Sequence, residues 1–188
     1  MNLEIEFVSR DYIALDDLTA FLSENAISTT IKELHFIDSW KWENYEAQSD
    51  INAILPELDK GRIAILSLNI AGVEAGMYIE RENGLFIYSP WSDAELVYAK
   101  LSMKELLDKL CALVDKSLDS LSYRLAACAV GEEMLFELAE DFAQTEEKSS
   151  GVDMYILPLE KTVDSEKFTV KAYKNVVSLQ TRDQGAIT

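Results

Sequence analysis

The dipeptide Asn83-Gly84 constrains the fold of this chain more than any other sequence feature. Apolar residues alternate with polar or small ones from 73 to 80, and an apolar run at 85–88 follows the dipeptide. Asn-Gly supplies the positive φ angles that a tight hairpin turn requires. The pattern therefore predicts two antiparallel strands joined by this turn.

Further strands are predicted on both sides of the hairpin. A run at 62–70 is apolar on both faces, which is typical of a strand inside a covered sheet. The segment 123–130 is compatible with a buried strand or with an extension of the preceding helix, and Leu34–Ile37 with a short strand. Alternating or apolar runs predict the remaining strands at 3–9, 152–157, 168–173 and 176–179.

The clearest helix signal begins at Ser102. The segment 102–105 matches a capping box, and an apolar stripe continues from it to about residue 120. Three more helices are expected at 15–25, from about 50 to 60 with Pro56 inside it, and at 132–142.

These elements predict an α+β fold with the order β-α-α-β-β-β-α-β-α-β-β. The sheet is expected to be mixed and largely antiparallel, with helices packed on it. We expect one domain over residues 1–180, a loop or surface element at 38–48 and a flexible tail at 181–188.

The chain is strongly acidic, with 34 acidic and 17 basic residues and a net charge of −17. Such a field repels nucleic acid and anionic lipid and attracts basic proteins. The sequence contains no run of about 18 apolar residues and begins with an alternating strand pattern rather than a signal peptide. We therefore expect a cytoplasmic protein that binds neither nucleic acid nor membrane.

The element order resembles that of the GNAT acyltransferases, in which three antiparallel strands precede a long helix whose amino end holds coenzyme A. The resemblance covers residues 1–160 and implies N-acyltransferase activity or a catalytically degenerate relative. The family's Q/R-x-x-G-x-G/A motif offers bare backbone N–H groups to phosphates. The corresponding segment here, 96–102, contains no glycine, so only Lys100 and the helix start are left to attract an anion.

The sequence indicates no catalytic, cofactor or metal site. His35, the one histidine, has no nucleophile at a recognisable spacing and is expected to be a hydrogen-bonded residue at a strand edge. Cys111 and Cys128 lack zinc-site spacing and are expected to be free thiols. Adjacent carboxylates on a helix diverge, so we interpret them as solvated surface.

Two stretches favour protein binding instead. The first stretch, residues 39–46, mixes large aromatic residues with acids, a composition typical of interface hot spots. The rings could equally cover the edge of the core. In the second, 132–147, acids occur without any basic residue, a pattern also expected of a plain solvated helix. The candidate partner-binding residues are Trp40, Trp42, Glu43, Tyr45, Glu46, Asp50, Glu133, Glu137, Glu140 and Asp141.

A small acidic α+β protein of this kind is similar in character to bacterial immunity proteins of contact-dependent inhibition systems. That resemblance implies a non-enzymatic protein that occludes a cognate toxin domain, in many cases a nuclease with a basic cleft. An acidic adaptor that associates with itself is a further alternative.

Overall fold

The computed structural model describes residues 1–132, 151–161 and 168–181. The described strands are β1 Asn2–Ser9, β2 Thr29–Ile37, β3 Glu46–Gln48, β4 Ile63–Ile70, β5 Val73–Glu82, β6 Leu85–Asp93, β7 Leu125–Glu132, β8 Val152–Pro158, β9 Phe168–Ala172 and β10 Val176–Thr181. The described helices are α1 Leu15–Glu24, α2 Ile54–Leu58 (preceded by a 3₁₀ turn, Ile51–Ala53), α3 Ala94–Tyr98 and α4 Met103–Ser120.

All ten strands form one sheet in the order β3-β2-β4-β5-β6-β1-β7-β8-β10-β9. Every pairing is antiparallel, so the predicted α+β class with helices packed on a sheet is confirmed. The amino-terminal strand β1 lies between β6 and β7 and joins the two halves of the sheet.

The β5–β6 hairpin forms where the sequence predicts it. Glu82 pairs with Leu85, and the two turn residues Asn83 and Gly84 have φ angles of 50° and 82°. Both angles lie in the left-handed region that Asn and Gly tolerate best. The hairpin sets the register of β6, and through it the position of Trp91 opposite Gly76.

One face of the sheet is covered by α1, α2 and α4. Their buried residues, including Leu15, Ile54 and Cys111, join strand residues such as Phe36 and Ile79 in one apolar cluster. Because side chains alternate along a strand, the intervening residues point to the opposite face, which we call the second face. On part of the second face, a smaller cluster contains residues of β1, β6, β7, β8, β9 and β10.

Helix α4 begins with the capping box that the sequence predicts. The Ser102 Oγ accepts a hydrogen bond from the Glu105 N–H at 3.3 Å, and the Glu105 carboxylate accepts one from the Ser102 N–H at 2.9 Å. Each residue thereby satisfies a backbone donor that the helix start leaves open. Helix α4 presents Leu107, Cys111 and Val114 to the sheet, so the predicted stripe is a buried face.

The structure adds elements to the predicted order. Strand β2 spans nine residues, although the sequence indicated only a short strand at 34–37, and β3 and α3 were not expected. The first half of β2 carries Thr30, Lys32 and Glu33 on exposed positions, which hides its strand pattern. The helix predicted at 132–142 falls, beyond Glu132, outside the described residues, and so does the tail from 182 onward.

No helix in the described ranges combines the length and apolar character needed to cross a membrane.

Candidate protein-binding surface

The second face of the sheet presents aromatic side chains from adjacent strands. In the pairing of β5 with β6, Tyr78 lies opposite Ser89 and Gly76 lies opposite Trp91. Met77, which lies between Gly76 and Tyr78 along β5, belongs to the helix-covered cluster. Tyr78, Gly76 and Trp91 therefore point to the second face.

The loop 38–45 brings Trp40 onto β5. Strand β4 separates β2 from β5, so the loop that follows β2 crosses β4 to reach Tyr78. The ring centroids of Trp40 and Tyr78 lie 5.0 Å apart at an interplanar angle of 75°. The Trp40 indole N–H also donates a hydrogen bond to the Glu80 Oε2 at 3.2 Å. Two contacts thus hold this tryptophan against the sheet.

Trp91 lies flat over Gly76. A Cβ built at residue 76 would overlap the Cε2 and Cζ2 atoms of the indole ring. The absence of a side chain at Gly76 therefore allows the ring to rest on the strand backbone. The Trp91 ring also lies 6.4 Å from the Tyr78 ring, at an angle of 31°.

Trp42 and Tyr45 extend the aromatic surface toward β2. Their ring centroids are 6.1 Å apart, and Tyr45 stacks on the His35 ring at 4.3 Å. We call Trp40, Trp42, Tyr45, Tyr78 and Trp91 the aromatic patch. Trp40 is 43% exposed, Trp42 51%, Tyr45 54% and Trp91 37%. Trp40, Trp42 and Tyr45, the rings predicted from the sequence, therefore expose about half of their surface to solvent.

Arg62 holds the loop in place from the start of β4. Its Nη1 contacts the Glu46 and Glu57 carboxylates at 3.0 Å each, and its Nη2 donates to the Asn44 carbonyl oxygen at 3.1 Å. Its Nε lies 2.8 Å from the Asp38 Oδ1, an ion pair that lacks hydrogen-bond angles. Only 15% of the Arg62 side chain is exposed.

These contacts outweigh the cost of burying the guanidinium. Burial acts to lower the pKa of Arg62, but the hydrogen bonds to Glu57 and Glu46 raise it overall. Lys60 and Arg62 in turn lower the pKa of Glu57. The loop is therefore clamped by one permanently charged side chain.

The loop backbone is strained at its aromatic tip. Trp42 has a φ of 60° and Asn44 one of 52°, in the left-handed region that large side chains rarely adopt. Hydrogen bonds from the Trp42 N–H to the Ser39 oxygen and from the Asp38 N–H to the Glu43 oxygen hold this conformation. Strain of this kind is often retained at functional sites.

Carboxylates surround the aromatic patch. Burial and the neighbouring Glu82 carboxylate raise the pKa of Glu80, and the Trp40 hydrogen bond offsets only part of this effect. Burial, together with the Glu4 carboxylate, also raises the pKa of Tyr78. Glu4 lies opposite Trp91 in the β1–β6 pairing, so acids flank the rings on two sides.

The predicted acidic residues near the loop have mixed roles. The Glu43 carboxylate accepts a hydrogen bond from the Ser39 Oγ at 3.0 Å, and Glu46 pairs with Arg62. Asp50 caps the 3₁₀ turn by accepting from the Asn52 N–H at 2.9 Å. All three are exposed, but their first structural role is to shape the loop. The predicted Glu133, Glu137, Glu140 and Asp141 lie outside the described residues.

Sequence reasoning did not identify Tyr78, Glu80 and Trp91 as site residues. The alternation along β5 placed Tyr78 and Glu80 on one face, which was the available signal. The order of the strands in the sheet places this face of β5 under the loop 38–45. Local sequence patterns do not encode which strand lies next to which loop.

The start of α4 differs from a phosphate-binding site. The Glu105 carboxylate occupies it, bonded to both the N–H and the hydroxyl of Ser102. Lys100 donates its Nζ to the Ala71 oxygen at 2.8 Å. A second negative group here would meet an existing carboxylate, so the geometry adds no support to coenzyme A binding.

The remaining candidate residues have structural surroundings. His35 contacts Glu33 through its Nε2 at 3.3 Å, whereas its buried Nδ1 has no hydrogen-bond partner among the described residues. Strand β3 pairs with β2 at His35, so this residue does not lie at the edge of the sheet. Cys111 and Cys128 are buried free thiols, and burial raises both pKa values. Within the described ranges, no three His, Cys, Asp or Glu residues form a cluster suited to a metal ion.

No protein-family model matches this sequence, and searches of curated proteins and of solved structures found no match either.

Proposed function

We propose that this protein is an immunity-type inhibitor that binds a basic bacterial toxin domain through the aromatic patch. The observation that carries the proposal is the cluster of the exposed rings Trp40, Trp42, Tyr45 and Trp91 around the half-buried Tyr78, beside Glu80 and Glu4. Tryptophan and tyrosine are the residues most enriched among interface hot spots.

The charge supports a basic partner. The net charge of −17 steers a positively charged protein toward this chain from beyond contact distance. A partner cation would also relieve the desolvated Glu80 carboxylate, whose raised pKa reflects an unfavourable charge. Occlusion of a basic nuclease cleft requires both this sign of charge and an apolar centre.

The clamped loop supports binding without rearrangement. Arg62 fixes Asn44 and Glu46 on either side of Tyr45, and Glu80 fixes Trp40. Ordering the aromatic side chains before association lowers the entropy cost of forming an interface. A stoichiometric inhibitor benefits directly from this arrangement, since its only task is tight binding.

The experiment tests the polypeptide encoded immediately upstream of this chain. Its C-terminal domain is produced in bacteria with and without this protein, and growth and complex formation on gel filtration are measured. We expect a basic domain that arrests growth alone and forms a 1:1 complex that restores growth. A harmless or acidic domain, or growth arrest that persists despite co-production, would contradict the proposal.

A second experiment tests the GNAT-like alternative. Acetyl-CoA titrated into the pure protein is expected to produce no binding heat; measurable heat would favour that alternative.

A further inference from the structure

Three rings of the aromatic patch form a corner rather than a flat surface. Tyr78 and Trp91 are inclined by only 31° to each other, and Trp91 lies against the backbone at Gly76. These two rings make a floor on the sheet. Trp40 stands at 75° to Tyr78 and forms a wall at one end of the floor. We call Trp40, Tyr78 and Trp91 the aromatic corner.

Carboxylates lie at the margins of the aromatic corner. Glu80 accepts the Trp40 indole N–H, which places a negative group at the foot of the wall. Glu4 lies opposite Trp91 on β1, and its charge acts on Tyr78. The faces of the rings and the Glu80 carboxylate therefore present negative electrostatic potential on the same side of the sheet.

We propose that the aromatic corner binds one arginine side chain of the partner. This inference rests on the proposed function and specifies its central contact. A guanidinium is planar, weakly hydrated and charged at all ordinary pH values, so it stacks on aromatic rings while its edges donate to carboxylates. Tyr78 and Trp91 supply the stacking surface, Trp40 bounds it at one end, and the Glu80 carboxylate supplies an acceptor. A lysine ammonium has no flat face and retains its water more strongly, so it fits this geometry less well.

The test uses the full chain and the tripeptide acetyl-Gly-Arg-Gly-amide as probe. The protein has three tryptophans, whose indole N–H signals can be followed separately by ¹H–¹⁵N NMR and assigned by Trp→Phe variants. We expect the probe to shift the Trp40 and Trp91 signals more than that of Trp42. The same peptide with citrulline, which has the shape of arginine without its charge, should bind at least about threefold more weakly, and so should the lysine peptide.

Matched variants separate the site from general attraction to an acidic protein. Glu80→Gln should weaken arginine binding by about threefold, whereas Glu24→Gln, which removes one exposed charge at the end of α1, on the other face of the sheet, should change it by less than about 1.5-fold. Trp40→Ala removes an exposed ring and should abolish the shift at Trp91.

Three results would overturn the inference. These are equal shifts with arginine and citrulline peptides, equal effects of Glu80→Gln and Glu24→Gln, and shifts at Trp40 and Trp91 with a neutral sugar such as cellohexaose instead of the arginine peptide. The two proposals fail separately. If the toxin domain is neutralised equally well by the Trp40→Ala variant, the arginine site is wrong and the inhibitor function stands. If the arginine peptide binds the corner but no protection occurs, the inhibitor function is wrong.

Discussion

Trp91 lies directly against the backbone of Gly76, across the pairing of β5 with β6. The contact links the hairpin, whose turn the sequence predicts, to the aromatic patch, which the sequence predicts only in part. It also makes the position of an exposed ring depend on a residue without a side chain.

The Gly76→Ala variant should displace the Trp91 ring. The added Cβ overlaps the indole, and such overpacking typically costs about 1–3 kcal/mol of unfolding free energy. Urea denaturation measures this cost, and the fluorescence of Trp91 should shift as the ring moves into solvent. The double variant Gly76→Ala/Trp91→Ala provides the control. Its stability should fall by clearly less than the sum of the two single effects, because the overlap no longer exists. Additive effects would show that Gly76 and Trp91 do not interact in this way.

Arg62→Ala should loosen the loop that carries Trp42 and Tyr45. The substitution leaves the Glu57 carboxylate, which is only 17% exposed, without its guanidinium, and we expect a loss of about 1–3 kcal/mol in unfolding free energy. Hydrogen exchange of the 38–48 amides should rise at the same time. Arg62→Lys keeps the charge without the forked geometry of the guanidinium. Its unfolding free energy should therefore lie between those of the wild type and Arg62→Ala.

Arg124 offers a matched control for Arg62. It also pairs with a carboxylate, that of Asp11, but 72% of its side chain is exposed. Arg124→Ala should therefore lower the unfolding free energy clearly less than Arg62→Ala and leave exchange in the loop unchanged. Equal effects of Arg62→Ala and Arg124→Ala would show that Arg62 does not hold the loop 38–45 in place.

Much of the fold could be predicted from the sequence because local patterns encode it. The turn at Asn83-Gly84 and the capped helix α4 were both located to within about two residues, since each depends on neighbours along the chain. The second strand of the hairpin, predicted over 85–88, extends further, to Asp93. Strand β2 was underestimated because exposed polar residues occupy its first half. Its pairing with β4 over eight positions determines its length instead.

The candidate site could be predicted only in part. Trp40, Trp42 and Tyr45 were identified because aromatic residues among acids are conspicuous in a sequence. Their partners Tyr78 and Trp91 were not, because a strand's alternation does not say which loop will cover it. That information lies in the strand order, in which a single strand, β4, separates β2 from β5.

Glu80→Gln should stabilise the folded protein at neutral pH. The pKa of Glu80 is raised above its ordinary value of 4.5 by burial, so the folded state binds its proton more tightly than the unfolded state. The contribution of Glu80 to wild-type stability should therefore fall as the pH rises from about 4.5 through its folded pKa. The uncharged glutamine avoids this penalty, and its amide oxygen still accepts the Trp40 N–H.

The measurement is urea denaturation of both proteins between pH 4 and pH 8. The advantage of Glu80→Gln should be full at pH 7 and should disappear at the acid end. Glu160→Gln, a charge removal at an exposed turn, is the control and should show no such trend. A Glu80→Gln variant that is less stable than wild type at pH 7 would contradict the proposed electrostatic penalty.

The association rate with the toxin domain should depend strongly on salt. Raising the salt concentration from about 50 to about 500 mM shortens the Debye length from roughly 14 to roughly 4 Å, which screens the attraction between an acidic inhibitor and a basic domain. Stopped-flow fluorescence should show association slowing at least about tenfold, with a much smaller change in dissociation. An association rate independent of salt would exclude charge steering.

The affinity of the double variant Trp40→Ala/Trp42→Ala for the upstream-encoded toxin domain tests the central claim most directly. Both rings are exposed, so their removal should leave the fold intact, and calorimetry should show a loss of at least about 2 kcal/mol, or roughly thirtyfold in Kd. Leu96→Ala/Leu159→Ala removes two equally exposed apolar side chains outside the aromatic patch and should change Kd by less than about twofold. Unchanged affinity of the tryptophan variant, or an equal loss in both variants, would contradict binding through the aromatic patch.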